Sequence, residues 1–149
     1  MQASPVASDS TGQLAESLLA LWKFVAREAG GEFAELLEEL DLSLAQLKTL
    51  ETMTAHPSSP SVKELSESLG CSLANSSRAV DALVRRGLLE RREDEFDRRV
   101  KRLTISTAGR DAMTRIDAVR LGALEQYTAT LTGDQRVRLT SALAGLPAA

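Results

Sequence analysis

Residues that carry out chemistry on a substrate are scarce in this sequence. It has one histidine and one cysteine in 149 residues, so it points to no Ser-His-Asp or Cys-His set. No cluster has the spacing of metal ligands, and no glycine-rich phosphate loop is present. We therefore expect a protein that is not an enzyme, with no catalytic residues, no metal site and no cofactor.

Cysteine and long apolar runs are equally scarce. The single cysteine, Cys71, excludes a disulfide within the chain and fits a reducing compartment, so we expect a cytoplasmic protein. No apolar run approaches the roughly 20 residues that span a bilayer, and the start of the sequence lacks the basic and apolar regions of a secretory signal. We expect no membrane partner and a disordered tail over residues 1–9.

Positive charge is scarce in the first half of the chain and concentrated just after it. The net charge of −3 argues by itself against a nucleic-acid partner. Residues 72–104, however, carry nine Lys or Arg against six Asp or Glu, whereas residues 1–71 carry four against eleven. A phosphate responds to charges within a Debye length of roughly 10 Å. The segment therefore favours a focused polyanion contact, with a solvated charged surface as the alternative.

Capping boxes, in which Ser or Thr precedes Gln or Glu by three residues, predict where the helices begin. The pairs are Ser10 with Gln13, Ser43 with Gln46, Ser61 with Glu64, and Thr132 with Gln135. Gly30-Gly31 is expected to end the first helix and to separate it from a short second one.

The middle of the chain has the spacing of a helix-turn-helix followed by a hairpin. The break Gly70-Cys71-Ser72 precedes a helix predicted over Leu73–Arg86, and Gly87 ends it. Strands are predicted near Leu88–Arg92 and Val100–Ile105, with a charged loop between them. The expected fold is mainly α with a small β-hairpin, a winged helix-turn-helix lobe over residues 42–105.

The terminal segments are helical and longer than this lobe can cover. Apolar residues recur at spacings of three and four from Met113 to Leu131, and a helix of about 24 residues is about 36 Å long. We expect residues 10–41 and 106–149 to be dimerisation helices that interlock with a second copy. A monomeric helical bundle is the alternative.

The predicted helix over Leu73–Arg86 carries a small, polar and cationic face. A helical wheel directs Leu73 and Val80 inward. It directs outward Ser72, Asn75, Arg78, Ala79, Ala82 and Arg86, and Ser76 lies beside this set. Asn bonds adenine edges and Arg bonds guanine edges in the major groove. We expect Asn75 and Arg78 to contact bases, and Ser72, Ser76 and Arg86 to contact phosphates, because free N–H groups at a helix start also favour phosphate.

The charged hairpin loop suits a minor groove. Asp97 and Arg99 point the same way, so the carboxylate is expected to orient the guanidinium for the narrow groove. Arg98 and Lys101 are expected to meet phosphates. The acidic run 93-EDE-95 and Phe96 lie at the same tip, where like charge would oppose phosphate.

Three stretches in this order resemble MarR-type winged-helix transcription regulators. They are 43-SLAQLKTLETM-53, 62-VKELSESLGCSLANSSRAVDALVRRGLLERR-92 and 97-DRRVKRLTISTAG-109. The resemblance implies a homodimer that binds a pseudo-palindromic double-stranded DNA operator, usually as a repressor. It also implies a small lipophilic or phenolic effector in a crevice beside the dimer helices, for which Trp22, Phe24 and Phe33 are the candidate lining residues.

Two other functions remain open at this point. The same helix and hairpin could dock a protein, as in a winged-helix adaptor. Alternatively, the chain could be a thiol-sensing repressor in which modification of Cys71 pushes the recognition helix off DNA, because a helix N-terminus can lower a thiol pKa.

Overall fold

The computed structural model describes residues 6–56 and 58–146, with side chains from Ser10 onward. The elements in chain order are α1 (Val6–Glu39), α2 (Leu44–Ala55), α3 (Val62–Leu69), α4 (Leu73–Arg85), β1 (Leu89–Glu93), β2 (Lys101–Ile105), α5 (Thr107–Ala129) and α6 (Gly133–Ala144). This mainly α architecture with one hairpin confirms the predicted fold class. Within the tail expected over residues 1–9, residues 1–5 lie outside the described part, and α1 already includes Val6.

The chain divides into two compact units. One is the lobe Glu35–Asp117, which contains the helix-turn-helix and the hairpin. The other, here called the terminal unit, combines the residues up to Ala34 with those from Ala118 onward. Helices α1 and α5 each contribute residues to both units.

Helix α1 is continuous, which corrects two predictions. Ser10 lies inside it rather than at its start, and Gly30-Gly31 does not end it. Neither glycine has a positive φ, so both stay helical. Each costs roughly 0.5–1 kcal/mol relative to alanine in a helix interior. Burial of Ala29 and Leu36 on either side of the pair outweighs that cost.

Three of the four predicted capping boxes are confirmed. Ser43, Ser61 and Thr132 each accept a hydrogen bond from the backbone N–H three residues later, and the Gln or Glu at that position accepts one from the backbone N–H of the cap. Such caps are each worth about 1 kcal/mol. They fix the first residues of α2, α3 and α6 as the sequence predicts.

The lobe has one apolar core to which every one of its elements contributes. Side chains that are almost fully buried come from α2, α3, α4, both strands and α5, namely Leu50, Leu65, Val80, Leu83, Leu89, Leu103 and Ile116. Burying each contributes about 1.5–3 kcal/mol. This core holds α4 in place while its opposite face remains in solvent.

The hairpin is antiparallel and is held by the rest of the lobe. Its register runs from Leu89 opposite Ile105 to Glu93 opposite Lys101. The backbone N–H of Leu103 also donates to the carbonyl of Pro60 at 2.9 Å. Two strands alone are marginally stable in water, so this hydrogen bond to Pro60 helps to keep the wing rigid.

The terminal unit leaves much apolar surface in solvent. Its exposed large apolar residues include Leu14, Leu18, Leu19, Trp22, Leu121, Leu124, Val137, Leu143 and Leu146. A contiguous apolar patch on a folded chain commonly marks a site of association. None of the helices in the described part of the chain has the length and apolarity needed to cross a membrane.

Candidate nucleic-acid interface

The turn before α4 is built by a left-handed glycine and a serine cap. Gly70 ends α3 with φ of 62°, a conformation that favours glycine. Two residues later Ser72 caps α4, and its Oγ accepts a hydrogen bond from the backbone N–H of Asn75 at 3.2 Å. This is the predicted helix-turn-helix, with Ser72 at the exposed N-terminus of α4.

The buried face of α4 matches the prediction at Val80 but not at Leu73. Ser76, Val80 and Leu83 are buried, whereas Leu73 is about half exposed. Ser76 is only 1% exposed and its Oγ lies 3.0 Å from Cys71 Sγ. The predicted phosphate contact of Ser76 is therefore wrong, because Val80 sets the inward face and Ser76 lies one turn before it.

Asn75 and Arg78 form one polar surface on the exposed side of α4. Arg78 Nη2 donates to Asn75 Oδ1 at 2.7 Å, one helical turn apart. The pair leaves the Asn75 amide N–H₂ and the remaining guanidinium N–H groups directed to solvent. Both predicted base-contacting residues are thus exposed side by side on α4. Whether they meet bases remains a prediction.

Arg86 is exposed just after α4 but has partners within the lobe, and its predicted phosphate contact stays a prediction. Its guanidinium donates to the backbone carbonyls of Leu40 and Asp41, just beyond the end of α1. Those carbonyls lack helical partners and carry the negative end of the helix dipole, so they compete well for a cation. Its neighbour Arg85, which the helical wheel missed, is exposed and has no ion pair within the described residues.

The wing tip is organised by Asp94, a residue that sequence reasoning treated only as unfavourable negative charge. Asp94 Oδ1 accepts hydrogen bonds from the backbone N–H groups of Phe96 and Asp97, at 2.8 and 3.0 Å. Its Oδ2 accepts from Arg102 Nε at 2.6 Å. An aspartate whose side chain accepts a hydrogen bond from the backbone N–H two residues later is a recognised turn former. The sequence already contained this signal.

Arg102 connects the wing tip to α3. Its Nη1 donates to Glu64 Oε2 at 2.8 Å, and the Glu64 carboxylate also caps α3 through the backbone N–H of Ser61. Hydrogen bonds from Ser61, with a smaller contribution from Arg102, lower the pKa of Glu64. The hydrogen bond to Asp94, reinforced by Glu64, raises the pKa of Arg102. The wing tip is therefore pinned to the body of the lobe.

Local pairing removes much of the negative charge at the wing. Glu93 binds Lys101 at 2.7 Å and Asp94 binds Arg102, so two members of the acidic run are neutralised. The pair of Lys101 with Glu93 is exposed, and such pairs are weak, so the predicted phosphate contact of Lys101 stays a prediction. Arg98 and Arg99 are exposed and form no ion pair within the described residues.

Asp97 orients the backbone rather than the guanidinium of Arg99. Its Oδ1 accepts a hydrogen bond from the backbone N–H of Arg99 at 2.9 Å. The predicted side-chain pair is absent from the described residues, because Asp97 closes the turn in which Arg99 lies. Asp97 therefore still acts on Arg99, because the turn holds the backbone from which the Arg99 side chain projects.

The ionisation of Asp94 gives a pH test of this arrangement. The hydrogen bond from Arg102, with those from Phe96 and Asp97, lowers the pKa of Asp94 from 3.8 to about 2. The folded pKa lies below the unfolded one, so the stabilisation is complete above about pH 4 and is lost as pH falls through 2. In a carbon-detected NMR titration, Asp94 should remain largely ionised at pH 3.

Arg102→Ala should move the Asp94 titration to higher pH, whereas Lys101→Ala, which removes a cation paired elsewhere, should leave it in place. An unchanged Asp94 midpoint in Arg102→Ala would show that Arg102 does not hold the wing.

A groove in the terminal unit contains two of the three predicted ligand-lining residues. Its cavity is about 540 Å³, and its lining includes Leu18, Trp22, Ala29, Phe33, Arg120 and Leu124. The guanidinium carbon of Arg120 lies 5.4 Å from the centroid of the Phe33 ring. Phe24 is not part of this lining, because its ring packs against Tyr127 with centroids 5.4 Å apart.

Cys71 is exposed at the turn before α4. It borders a pocket of about 400 Å³ between α2 and α4, whose lining also includes Lys48, Asn75 and Arg78. A redox role for this thiol stays a prediction.

A helix-turn-helix followed by an antiparallel hairpin defines a winged helix-turn-helix protein. Residues 40–100 match the model of the MarR family, the family that the sequence resembles. The transcriptional repressor MprA of Escherichia coli (strain K12) is 34% identical over 93 residues, which are 62% of this chain and 52% of MprA. The chain thus spans about half the length of the curated relatives it matches.

Solved structures share the fold. The transcriptional regulator Tm0710 from Thermotoga maritima superposes with a TM-score of 0.76 at 22% identity, over 89% of this chain and 90% of that one. A mutant of S. aureus MepR, bound to an oligodeoxyribonucleotide, superposes with a TM-score of 0.67 at 20% identity, over 85% of this chain and 93% of that one.

Proposed function

We propose that this chain is a dimeric, sequence-specific double-stranded DNA-binding regulator that represses transcription and is released by a small lipophilic or phenolic ligand. The observation that carries the proposal is the combination of two cationic surfaces in one lobe. They are the exposed Asn75–Arg78 pair on α4 and the unpaired Arg98 and Arg99 on a wing tip pinned by Asp94. The family and the description of MprA as a transcriptional repressor support the same function.

The two surfaces would read different grooves. Asn75 and Arg78 lie near the exposed centre of α4 with the small side chains of Ala79 and Ala82, and Asp81 is paired with Arg91. The helix can therefore enter a major groove about 12 Å wide, where amide and guanidinium groups recognise base edges. The N-terminus of α4 at Ser72 favours a phosphate. Arg99 would enter the flanking minor groove, where the negative potential is strongest, and Arg98 would bind the adjacent backbone.

Dimerisation would cover the apolar surface of the terminal unit. Leu14, Leu18 and Trp22 follow one another on α1 at spacings of four residues and are all more than half exposed. Such a stripe is typical of helices that pack against a partner helix. A twofold dimer then presents two α4 helices, which suits a pseudo-palindromic site with half-sites about 34 Å apart.

The apolar groove is the proposed effector site. Its volume of about 540 Å³ falls in the range of small-molecule pockets. Aromatic and aliphatic side chains dominate the lining. These features suit a flat lipophilic or phenolic molecule.

Helix α1 contributes residues to both compact units. We expect ligand binding in the groove to change the spacing of the two recognition helices of a dimer, which would weaken binding to the operator.

Selection from random duplexes tests the DNA-binding proposal. We expect the full chain to enrich an inverted-repeat sequence and to bind it with an affinity that falls steeply as salt rises, because phosphate contacts release counterions. The same duplex with one half-site scrambled is the matched control and should bind far more weakly. Failure to enrich any sequence, with weak binding that ignores salt, would favour a protein-docking adaptor instead.

A further inference from the structure

Phe96 is the most exposed large apolar residue in the described part of the chain. Its side chain is 96% exposed at the wing tip. We propose that Phe96 is an apolar wedge that enters the minor groove of the bound duplex beside Arg99, opens a base step and bends the DNA. This inference rests on the proposed function and adds to it a specificity-determining residue outside the helix-turn-helix.

The backbone around Phe96 is held in one conformation. Asp94 Oδ1 accepts hydrogen bonds from the N–H groups of both Phe96 and Asp97, and Asp94 is bound in turn to Arg102. Arg102 is bound to Glu64 of α3. The wing-tip backbone that carries the ring is therefore held by a chain of charge-assisted hydrogen bonds. A large aromatic side chain that is almost fully exposed to water gains most from a partner that buries it.

The two arginines near the ring favour DNA as that partner. Arg98 and Arg99 follow Phe96 by two and three residues and have no ion pair within the described residues. Glu93 and Asp94 on the preceding side are paired with Lys101 and Arg102. Of the two acidic residues next to Phe96, Asp97 accepts a hydrogen bond from the backbone N–H of Arg99, and Glu95 is exposed without an ion pair within the described residues. An apolar tip beside two exposed guanidinium groups matches the minor groove, whose sugar walls lie between two rows of phosphates.

Wedges of this kind have a known physical signature. Apolar side chains inserted from the minor groove unstack a base step and bend the duplex toward the major groove. Pyrimidine–purine steps such as TA and CA yield most easily. Phe96 should therefore create a preference for such a step at a flank of the operator that no side chain of α4 reaches.

The test compares wild type with Phe96→Ala and Phe96→Leu on the selected duplex. Phe96→Ala should lose about tenfold in affinity, and Phe96→Leu, which keeps an apolar side chain, should keep most of it. The slope of affinity against salt should be the same in all three, because no charge changes. Energy transfer between dyes at the duplex ends should report a smaller bend with Phe96→Ala.

A second pair of duplexes locates the wedge. Replacing the flanking TA or CA step by AA should weaken wild type and leave Phe96→Ala unaffected. Equal affinity and equal bend for wild type and Phe96→Ala would overturn the wedge while leaving DNA binding intact. A change of oligomeric state in Phe96→Ala, seen by sedimentation, would also overturn it, because the ring would then serve protein association. If wild type binds no duplex at all, the proposed function fails together with the wedge.

Discussion

Replacing Gly109 by alanine should lower the free energy of unfolding by about 3 kcal/mol. Gly109 lies in the first turn of α5, where it packs against the end of the hairpin. A Cβ at this position would stand 2.2 Å from the carbonyl oxygen of Leu88 and 2.8 Å from Cγ1 of Ile105. The first contact is with backbone, which cannot rotate away as a side chain can.

The clash falls on a junction that several hydrogen bonds define. Ser106 Oγ donates to the carbonyl of Gly87 at 2.6 Å and accepts from the backbone N–H of Gly109 at 3.0 Å. Moving α5 away from Leu88 would stretch both bonds. Urea denaturation at a fixed protein concentration measures the effect.

Gly31→Ala is the matched control for this substitution. Gly31 is also helical, is exposed, and has nothing within 4 Å of the position that a methyl group would occupy. Because alanine is the better helix former, Gly31→Ala should raise stability by roughly 0.5–1 kcal/mol. Equal effects of the two substitutions would mean that α5 does not approach the hairpin as closely as described.

Replacing Arg99 by alanine should weaken binding to the selected operator by roughly 100-fold, with helicity and oligomeric state unchanged. Each minor-groove arginine is worth about 1–3 kcal/mol, and a twofold dimer loses two of them. Arg99 is exposed and leaves the chain from a turn closed by Asp97, so its removal does not disturb the core. Fluorescence anisotropy with a labelled duplex measures the loss.

Arg138→Ala is the matched control for Arg99→Ala, because it also removes one positive charge but lies outside the wing. Arg138 is an exposed residue of α6 paired with Asp134 at 2.9 Å, and exposed pairs of this kind are worth at most about 1 kcal/mol. Operator affinity should change less than about threefold. If both substitutions weaken binding equally, the wing has no specific role and net charge alone explains the affinity.

The sequence predicted the elements of the lobe well because their signals are local. Ser43 and Ser61 form capping boxes within four residues, and Gly70 and Gly87 end helices in conformations that favour glycine. The positions of the two strands followed from their alternation. The recognition helix was predicted to within one residue of its end.

Tertiary contacts decide which face of α4 is buried and which groups bind Arg86. Neither feature could therefore be predicted from the local sequence. A helical wheel cannot tell that Val80 and Leu83, rather than Leu73, set the buried face, because Leu73 precedes the packed part of the helix. Arg86 finds its carbonyl partners more than 40 residues away, beyond the end of α1. The wheel named Arg86 as an exposed cation and missed its neighbour Arg85, which is also exposed.

The sequence predicted the exposed arginines of the wing but not the network that holds its tip. Its arginines were recognised from the Asp97-Arg98-Arg99 motif, whereas Asp94 was counted only as repulsive charge. The pairing of Asp94 with Arg102 spans the hairpin, and the link from Arg102 to Glu64 spans 38 residues. Such a network follows from the three-dimensional arrangement of α3 and the strands rather than from any one stretch.

Hydroxyl-radical footprinting of the full chain on its selected operator tests the central claim most directly, because it reports both grooves and both subunits together. We predict a twofold-symmetric footprint, with two protected regions about one helical turn apart and a minor-groove protection at each outer flank that disappears in Arg99→Ala. A single unpaired footprint, or outer flanks whose protection survives in Arg99→Ala, would contradict a dimer that reads DNA with α4 and the wing.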